Sequence, residues 1–452
     1  MRIEQDSLGK KKIPDGALWG IQVARALDNF PISGTPTNLE LIYAYAQVKK
    51  ACTQANMELG LLKPALAKPI LKAIEEILSG KHDGQFVVDQ YQAGAGTSTN
   101  MNLNEVIANL ARQRRASRLI SANDHVNMSQ STNDTYPSAL RVAIVTAYDG
   151  LDANLKILED SLKKKGTEFR SIIKSARTHL RDAVPITLGS EFAAYAKTIS
   201  DFRFVLAQSR AALLVLGLGG SAVGTGLNTH PKYAALAIRH LNKNTGYAFK
   251  KAADLIESMQ SQKQILQYAS ALKLAAVEIS RIASDLRLLS SGPHTGFNEI
   301  NLPAVQSGSS MMPGKVNPSI LECVNMVCYR VIGAEAAVTQ AVLGGQLNLN
   351  VNMPLMASEL LHATNILSNV TRVMAQKCIR GISPNIERNK KHAYASSALA
   401  TVLNPIFGYE LMAELVTEMS GTGESLPEII LRKKLMTEKE FTKILDPRGM
   451  VY

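Results

Sequence analysis

Residues 265–286 read ILQYASALKLAAVEISRIASDL, and apolar side chains recur along them at alternating steps of four and three. This spacing of about 3.5 residues marks the seam of helices that supercoil around one another, and alanine on the seam permits close approach. The seam positions are Ile265, Ala269, Leu272, Ala276, Ile279, Ala283 and Leu286. The pattern therefore predicts a long helix inside a helical bundle.

Other segments show helical spacing too. One apolar stripe runs along residues 192–206, and another begins after Pro137 and runs along residues 140–158. Two further helices are predicted near residues 320–342 and 356–374. No repeat of fixed period occurs, which argues against a helical solenoid. Five helices of roughly 20 to 30 residues each favour an all-α fold built on a long bundle.

Composition narrows the class of protein. The chain has 452 residues, of which 46% are apolar, 19% charged and 5% aromatic. It can therefore bury a large core, and it is long enough for two or three domains. The formal net charge is +12, but no basic run alternates with aromatic residues, so nucleic-acid binding is not expected. A positive charge is compatible with small anionic substrates.

The first residues and the apolar runs predict a cytoplasmic protein. The chain opens with MRIEQDSLGKKK, which carries charges at once and lacks the apolar segment of a secretory signal. The longest apolar stretch, residues 211–224, is broken by glycine and too short to span a bilayer, so no membrane partner is expected. The four cysteines form neither a CxxC pair nor a zinc-spaced cluster, which fits free thiols in a reducing compartment.

Loops rich in Gly, Ser, Thr and Asn separate the predicted helices. They are residues 94–102 (GAGTSTNMN), 129–134 (SQSTND), 177–182 (RTHLRD), 224–231 (GTGLNTHP) and 307–318 (SGSSMMPGKVNP). Such composition usually marks turns, but hydroxyl and amide donors are unusually dense here. The last loop adds Lys315 to two serines and an asparagine between glycines, and this set of groups suits an anion. Loops on a rigid bundle are common places for a site.

The segment GSSMMPGKVNP in the last loop resembles the signature loop of the aspartase/fumarase superfamily. The likeness continues in order along nearly the whole chain. The other matching segments are RIEQDSLG, ALWGIQVARALDNFPI, GAGTSTNMNLNEVIAN, SQSTNDTYPSA, RTHLRDAVPITLG, GGSAVGTGLNTHP, GQLNLNV and LNPIFGYE. The aspartase and class II fumarase branches are the most similar.

The resemblance implies a fold and an assembly. The family fold has an N-terminal helical domain, here residues 1–128, and a central bundle of five long helices, here residues 129–386. A small C-terminal helical domain then covers residues 387–452. Family members are homotetramers whose central helices form a twenty-helix core. Each active site is shared by loops of three subunits, so activity would depend on assembly.

The resemblance also implies an anti elimination on a small dicarboxylate, with no metal and no organic cofactor. A proton leaves the carbon beside one carboxylate, and the carbanion is held as a doubly negative aci-carboxylate. Donors that are in place before this charge develops stabilise it most. The expected reaction removes ammonia from aspartate to give fumarate. Hydration of fumarate and elimination from another aspartate-derived amine are the alternatives.

Site roles follow from matching positions in the family motifs. Ser309 is the expected general base, and His179 with its expected carboxylate partner Glu322 completes the catalytic set. The residues expected to donate to the β-carboxylate are Thr97, Ser131, Thr132 and Ser310, and those expected at the α-carboxylate are Thr178, Lys315 and Asn317. Asn133 is expected beside His179 at the leaving amine. Asp134 and Glu105 are expected to brace loops and helix ends.

Small differences separate the two branches. Thr132 in SQSTND, Ser98 in GTSTN and the segment GQLNLNV resemble aspartases, whereas GTGLNTHP and PGK resemble fumarases. Thr132 is weighted most, because it is expected to contact the substrate. The departures from the usual pattern are Ala176, Arg181, Ser190, His294 and the pair Asn352-Met353. A tetrameric scaffold without activity is disfavoured, because the full set of site residues is present.

Overall fold

The computed structural model describes residues 1–113 and 119–446, and helices dominate it. The α-helices are α1 Ile21–Asn29, α2 Leu39–Glu58, α3 Pro64–Leu78, α4 Thr97–Arg112, α5 Thr132–Glu168, α6 Leu188–Ala212, α7 Tyr233–Thr245, α8 Leu255–Gln260, α9 Lys263–Leu289, α10 Ser319–Leu343, α11 Met353–Lys377, α12 Ile386–Ala395, α13 Leu399–Phe407, α14 Tyr409–Thr422, α15 Leu426–Arg432 and α16 Glu438–Ile444. The predicted all-α class is confirmed.

Short strands accompany the helices and pair only two by two. They are β1 Arg2–Asp6, β2 Gly9–Ile13, β3 Ile173–Thr178, β4 Arg181–Thr187, β5 Val215–Leu216, β6 Lys250–Lys251, β7 Ile300–Asn301 and β8 Ser383–Pro384. The pairs β1–β2, β3–β4 and β7–β8 are antiparallel, and β5–β6 is parallel. None of these strands was predicted, because segments this short show no clear alternation of apolar and polar residues.

The five long helices predicted from apolar spacing are confirmed as α5, α6, α9, α10 and α11. Each of the seven seam positions of α9, from Ile265 to Leu286, is 1% exposed or less. On α6, the stripe that includes Phe192, Ile199 and Leu206 is buried as well. Apolar periodicity therefore located both the helices and the faces that they bury.

Two helices begin earlier than predicted. Helix α5 starts at Thr132, ahead of Pro137, because the hydroxyl of Ser131 accepts from the backbone N–H of Asn133 at 3.2 Å. Such a cap satisfies one of the free N–H groups at a helix start. Helix α4 starts at Thr97, inside a segment that was predicted to be a loop. Residues that are typical of loops are thus helix caps and first turns here.

The chain packs as two compact units, each described separately below. The first unit comprises Met1–Leu151, Phe204–Leu274 and Arg330–Ile366, and the second comprises Asp152–Arg203, Ala275–Tyr329 and Leu367–Tyr452. The three domain boundaries expected from the family remain a prediction. Residues 447–452 of the expected C-terminal domain lie outside the described part of the chain.

In the first unit, α2 packs against α3 and α7, and α4 packs against α1 and α3. The hydroxyl groups of Tyr268 in α9 and Thr364 in α11 lie 3.3 Å apart in the buried interior. Lys273 of α9 donates to Glu335 of α10 at 2.7 Å. These contacts hold neighbouring long helices in register.

In the second unit, the β3–β4 hairpin packs against α12, and α13, α14 and α15 share a small apolar core. Arg203 of α6 forms ion pairs with Asp152 and Glu159 of α5 at 3.0 and 2.6 Å. Asn325 of α10 donates to the Ser280 hydroxyl of α9 at 2.9 Å. The hairpin therefore packs on helices of its own unit.

Helix α10 exposes an apolar face. It is the one described helix that is long and apolar enough to cross a membrane by length and composition alone, with a mean hydropathy of 1.3, and 28% of that window is buried. Its exposed positions recur every three or four residues, which places them on one side of the helix. We call this side the α10 stripe; it consists of Cys323, Met326, Tyr329, Arg330, Gly333, Ala336, Gln340 and Leu343.

Candidate active site

Thr97 lies at the start of α4, and its side chain is exposed. The chain enters the helix through Ala95 and Gly96, whose φ angles of 57° and 81° are left-handed. A Cβ on Gly96 would lie 2.1 Å from the ring of Tyr136 in α5, so only glycine fits there. The start of α4 therefore lies directly against the first turns of α5.

A buried tyrosine joins the two helix starts. The Tyr45 hydroxyl lies 2.8 Å from Oδ1 of Asn100 in α4 and 2.7 Å from Oγ1 of Thr135 in α5. Helix N-termini carry unpaired N–H groups and a partial positive charge. Two such ends side by side form a favourable place for a carboxylate.

Three predicted site residues stand at the start of α5. Ser131 caps the helix, Thr132 is its first residue, and the Asn133 side chain donates to the carbonyl of Ala222 at 2.8 Å. All three are partly exposed. The structure thus brings Thr97, Ser131 and Thr132 to adjacent helix starts, as their predicted shared role requires.

Two buried carboxylates brace helix starts, as the sequence analysis predicted. Asp134 accepts from the N–H groups of Ser131 at 2.9 Å and Gly219 at 2.8 Å. Glu105 accepts from the N–H of Gly20 at 2.7 Å, at the start of α1. Burial raises the pKa of Asp134 to about 6, and the backbone hydrogen bonds offset only part of that rise.

The raised pKa of Asp134 predicts a pH-dependent stability. The folded chain binds this proton more tightly than the unfolded chain, whose carboxyl titrates near 3.8. The contribution of Asp134 to the free energy of unfolding should therefore fall by up to about 3 kcal/mol as pH rises from about 4 to 6. Urea unfolding at several pH values measures this, and Asp134→Asn should gain stability relative to the unchanged chain across that window.

Asp89→Asn is the matched control for this measurement. Burial raises the pKa of Asp89, but N–H groups of Tyr91, Ser33 and Gly34 outweigh it and hold the pKa below 3.8. Its contribution to stability is present above that value and lost only as pH falls further. If Asp134→Asn tracked the unchanged chain between pH 4 and 6, the assignment of a raised pKa would be wrong.

Thr178 and His179 stand at the tip of the β3–β4 hairpin and are exposed. Thr178 pairs with Arg181, so His179 and Leu180 form a two-residue turn with φ angles of 55° and 58°. Such a turn normally contains glycine or asparagine, which explains why this loop was not recognised as a hairpin. Left-handed non-glycine residues cost roughly 1 kcal/mol or more each, and they cluster at functional sites.

Residues 308–317 form a loop that closes on itself before α10. The Asn317 side-chain amide donates to the carbonyl of Gly308. A Cβ on Gly308 would lie 2.1 Å from the carbonyl oxygen of Lys315, so the neck of the loop has no room for a side chain there. Ser310 and Lys315 are exposed on this loop, and Lys315 forms no ion pair with any described residue.

The hydroxyl oxygen of Ser309 accepts two hydrogen bonds from the backbone of its own loop. The donors are the backbone N–H groups of Met311 at 3.1 Å and Met312 at 3.0 Å. Two N–H donors aimed at one oxygen stabilise negative charge on it. This oxygen is therefore better prepared than an ordinary serine hydroxyl to lose its proton.

Some predicted partners are not joined within one chain. Glu322 lies in the first turn of α10 and is partly exposed. Among the described residues of the second unit, no hydrogen bond or ion pair links it to His179. None links the hairpin tip to residues 308–317 either. The expected His179–Glu322 pair therefore stays a prediction.

Sequence reasoning missed a buried polar network behind α5. Lys49 of α2 is fully buried and donates to Oδ1 of Asn127 at 2.9 Å, and the side-chain amide of Asn127 donates to the carbonyl of Gln130. Burial lowers the pKa of Lys49 to about 7. The sequence places Lys49 among apolar residues of α2. This alone does not predict burial, because a lysine is more often exposed than buried.

Comparisons with known proteins agree with this geometry. A family model described as Lyase matches residues 9–333, and one described as Fumarase C C-terminus matches residues 399–452. An aspartate ammonia-lyase from Bacillus sp is 43% identical over 457 residues, which cover 100% of this chain and 98% of the relative. One from Helicobacter pylori is 45% identical over 463 residues, with the same coverage.

A solved structure is similar over its full length. The fumarate lyase:delta crystallin from Brucella melitensis bound to cobalt has a TM-score of 0.96 and 43% sequence identity. The similarity covers 100% of this chain and 99% of that one. Because the Lyase model spans most of the sequence and full-length relatives exceed 40% identity, the chain belongs to the aspartase/fumarase superfamily of lyases.

Proposed function

We propose that the chain is an aspartate ammonia-lyase, a carbon–nitrogen lyase that converts L-aspartate to fumarate and ammonia. Full-length similarity to aspartate ammonia-lyases supports this substrate. The observation that carries the chemistry is the Ser309 oxygen, which accepts from two backbone N–H groups in the loop that also bears Lys315.

In this proposal Ser309 is the general base. As an alkoxide held by the two N–H groups, its oxygen takes the proton from the carbon beside the β-carboxylate. The electron pair of that C–H bond moves into the carboxylate, which becomes the doubly negative aci form. The same electron pair then forms the carbon–carbon double bond as the C–N bond breaks, and ammonia leaves from the opposite face. Closing the loop over the substrate would exclude water during these steps.

Donors to the β-carboxylate must be in place before its second charge develops. Thr97, Ser131, Thr132 and Ser310 are assigned this role. The adjacent positive ends of α4 and α5, joined through Tyr45, support the assignment of the first three. Each well-placed donor in a dry site lowers the barrier by roughly 3 kcal/mol.

Other residues are assigned to the carbon that bears the amine. Thr178, Lys315 and Asn317 hold the α-carboxylate, with Lys315 as the main positive charge. Asn133 and His179 lie at the leaving amine, and Glu322 orients His179 through its carboxylate. The strained turn at His179 supports a functional position for this tip.

The proposed sites are shared by three subunits of a homotetramer in the cytoplasm. The α10 stripe supports the assembly, because Met326, Tyr329 and Leu343 are 63%, 60% and 74% exposed in a single chain. Packing against other copies would remove this apolar surface from water. Sharing would also bring together residues that one chain does not join, such as His179 and Glu322.

A substrate panel tests the proposed reaction. The purified chain is mixed with L-aspartate, L-malate or substituted succinates, and fumarate-type absorbance is followed. Aspartate should give fumarate with one equivalent of ammonia. Turnover of malate without aspartate would assign the chain to fumarate hydratases, and turnover of neither, with the tetramer intact, would favour a different substituted succinate or an inactive scaffold.

A fumarate hydratase is the second candidate. The segments GTGLNTHP and PGK and the match to the Fumarase C C-terminus model favour it. Thr132, Ser98 and GQLNLNV favour the aspartase, and Thr132 lies at one of the helix starts proposed to bind the carboxylate. Arg181 adds an exposed positive charge beside the hairpin turn, which favours a more anionic substrate among the substituted succinates.

A further inference from the structure

A fully buried carboxylate, Glu299, lies behind the β3–β4 hairpin. One of its oxygens lies 2.7 Å from Nη2 of Arg177 and 2.9 Å from Nδ1 of His392, and the other lies 3.0 Å from Nζ of Lys174. Burial of charged groups is unfavourable unless their partners are well placed. The arrangement therefore constrains every side chain in it.

The charges in this cluster are balanced. Lys174, with a side chain 2% exposed, also donates to Glu191 at 2.8 Å. Burial raises the pKa of Glu299, but the hydrogen bond from Arg177 and the charge of Lys174 outweigh burial and hold the pKa below its ordinary value. Glu299 is thus an anion near neutral pH, and it needs its cationic partners.

Arg177 connects this cluster to the hairpin tip, because it immediately precedes Thr178. The β3–β4 register shifts between Ser175 and Arg177, where the single residue Ala176 of β3 lies opposite two residues of β4, Ala183 and Val184. A bulge of this kind bends the bulged strand, increases the local twist of the hairpin and is common beside active sites. Here it accompanies the contact of Arg177 with Glu299.

The backbone at Glu299 is held on both sides. Its N–H donates to the carbonyl of Leu289 at 2.9 Å, at the end of α9. Its carbonyl accepts from the N–H of Asn385 at 2.9 Å and from the side chain of Asn389 at 2.7 Å, at the start of α12. Phe297 adds a ring centred 4.1 Å from the guanidinium of Arg177. The backbone of Glu299 is therefore held between the end of α9 and the start of α12.

Few side-chain contacts fix the conformation of the hairpin tip. Among the described residues, no hydrogen bond engages the side chain of Thr178 or His179. The turn is strained, with positive φ at His179 and Leu180, and its side chains are exposed. Its direction is thus set at the neighbouring residue pair, where Arg177 meets Glu299.

We propose that Glu299 is a positioning residue for the elimination: through Arg177 it fixes the direction in which the hairpin presents Thr178 and His179 to the substrate. The inference rests on the proposed function, which assigns Thr178 to the α-carboxylate and His179 to the leaving amine. Glu299 itself does not touch the substrate.

A double-mutant cycle tests this role. Glu299→Gln keeps the shape but removes the charge, and kcat/KM for aspartate should fall about 30-fold. In a Thr178→Ala chain the same change should cost at most about fivefold, because the group that it positions is already gone. If the two losses multiply instead, Glu299 does not act through the hairpin tip.

Amide hydrogen exchange gives a readout that does not depend on activity. In Glu299→Gln, exchange across residues 172–187 should be about tenfold faster. If the unchanged chain releases no ammonia from aspartate but Glu299→Gln still shows faster exchange, the proposed reaction is overturned and the anchoring of the hairpin is supported. Unchanged exchange in an active enzyme would overturn the anchoring and leave the reaction standing.

Two further variants keep the test decisive. Arg177→Met leaves Glu299 paired with Lys174 and His392, so it should fold where Glu299→Gln does not, and it should show the same kinetic loss. Glu159→Gln removes one partly buried ion pair with Arg203 in the same unit, away from the hairpin. It should leave kcat/KM and hairpin exchange unchanged, and an equal loss there would indicate general softening and overturn the proposal.

Discussion

Ser309→Ala is expected to lower kcat for aspartate by about 10³-fold or more while the assembly and the fold stay intact. The variant keeps the N–H groups of Met311 and Met312 but removes the oxygen that they hold. If Ser309 is the base, as proposed, the variant lacks the group that takes the proton, and the remaining donors have no carbanion to stabilise. Steady-state kinetics and light scattering measure the two quantities on one preparation.

Ser307→Ala is the matched control, since Ser307 lies two residues earlier in the same loop and is exposed. It should retain activity within about twofold, as expected for a surface substitution. Activity of Ser309→Ala close to that control would remove Ser309 as the base. Co-expression of Ser309→Ala with Thr132→Ala tests shared sites, because some mixed assemblies should regain sites in which both groups are intact.

Apolar spacing predicted the bundle because the buried side chains of a helix recur every three or four residues. This spacing can be read directly from the sequence. The seam of α9 was predicted residue by residue, and all of it is buried. Helix starts were predicted less well, since Ser131 and Gly96 are equally typical of caps and of loops. The contact of Gly96 with the Tyr136 ring at the start of α4 is tertiary packing, which the local sequence does not show.

The residues of the candidate site were predicted from motifs, whereas most of the buried charged residues behind them were not. Asp134 lies inside a motif, and its bracing role followed from that position. Glu299 and Lys49 were missed, because their partners are distant in sequence and burial of a charge depends on tertiary packing. Arg177 and His392, for example, both meet Glu299, although 215 positions separate them.

The roles assigned in the proposed function fall on residues of both units. Thr97, Ser131 and Thr132 lie at helix starts, where the donors are backbone dipoles and hydroxyl groups. Lys315 and Ser309 lie on the loop of residues 308–317, to which the proposal assigns the positive charge and the base. A rigid donor set suits the carboxylate that gains charge. The proposal requires the loop to admit the substrate before it closes over it.

Lys315→Met is expected to raise KM for aspartate about 100-fold and to change kcat much less. The Lys315 ammonium is exposed and has no ion-pair partner among the described residues, so it is available for the α-carboxylate. In the proposed site that carboxylate keeps the same charge throughout the reaction, so a contact with Lys315 would stabilise the bound substrate and the transition state alike. Loss of such uniform binding appears in KM.

Lys315→Arg and Lys63→Met are the variants that make the result interpretable. Arginine keeps the charge but not the compact shape of the ammonium, so it should recover only part of the affinity. Lys63 is an exposed lysine at the start of α3, in the other unit, and its loss should leave KM unchanged.

Because Lys315 is proposed to act through its charge, the difference in KM between Lys315→Met and the unchanged chain should shrink as salt is added. A KM that stays constant in Lys315→Met would show that another group holds the α-carboxylate.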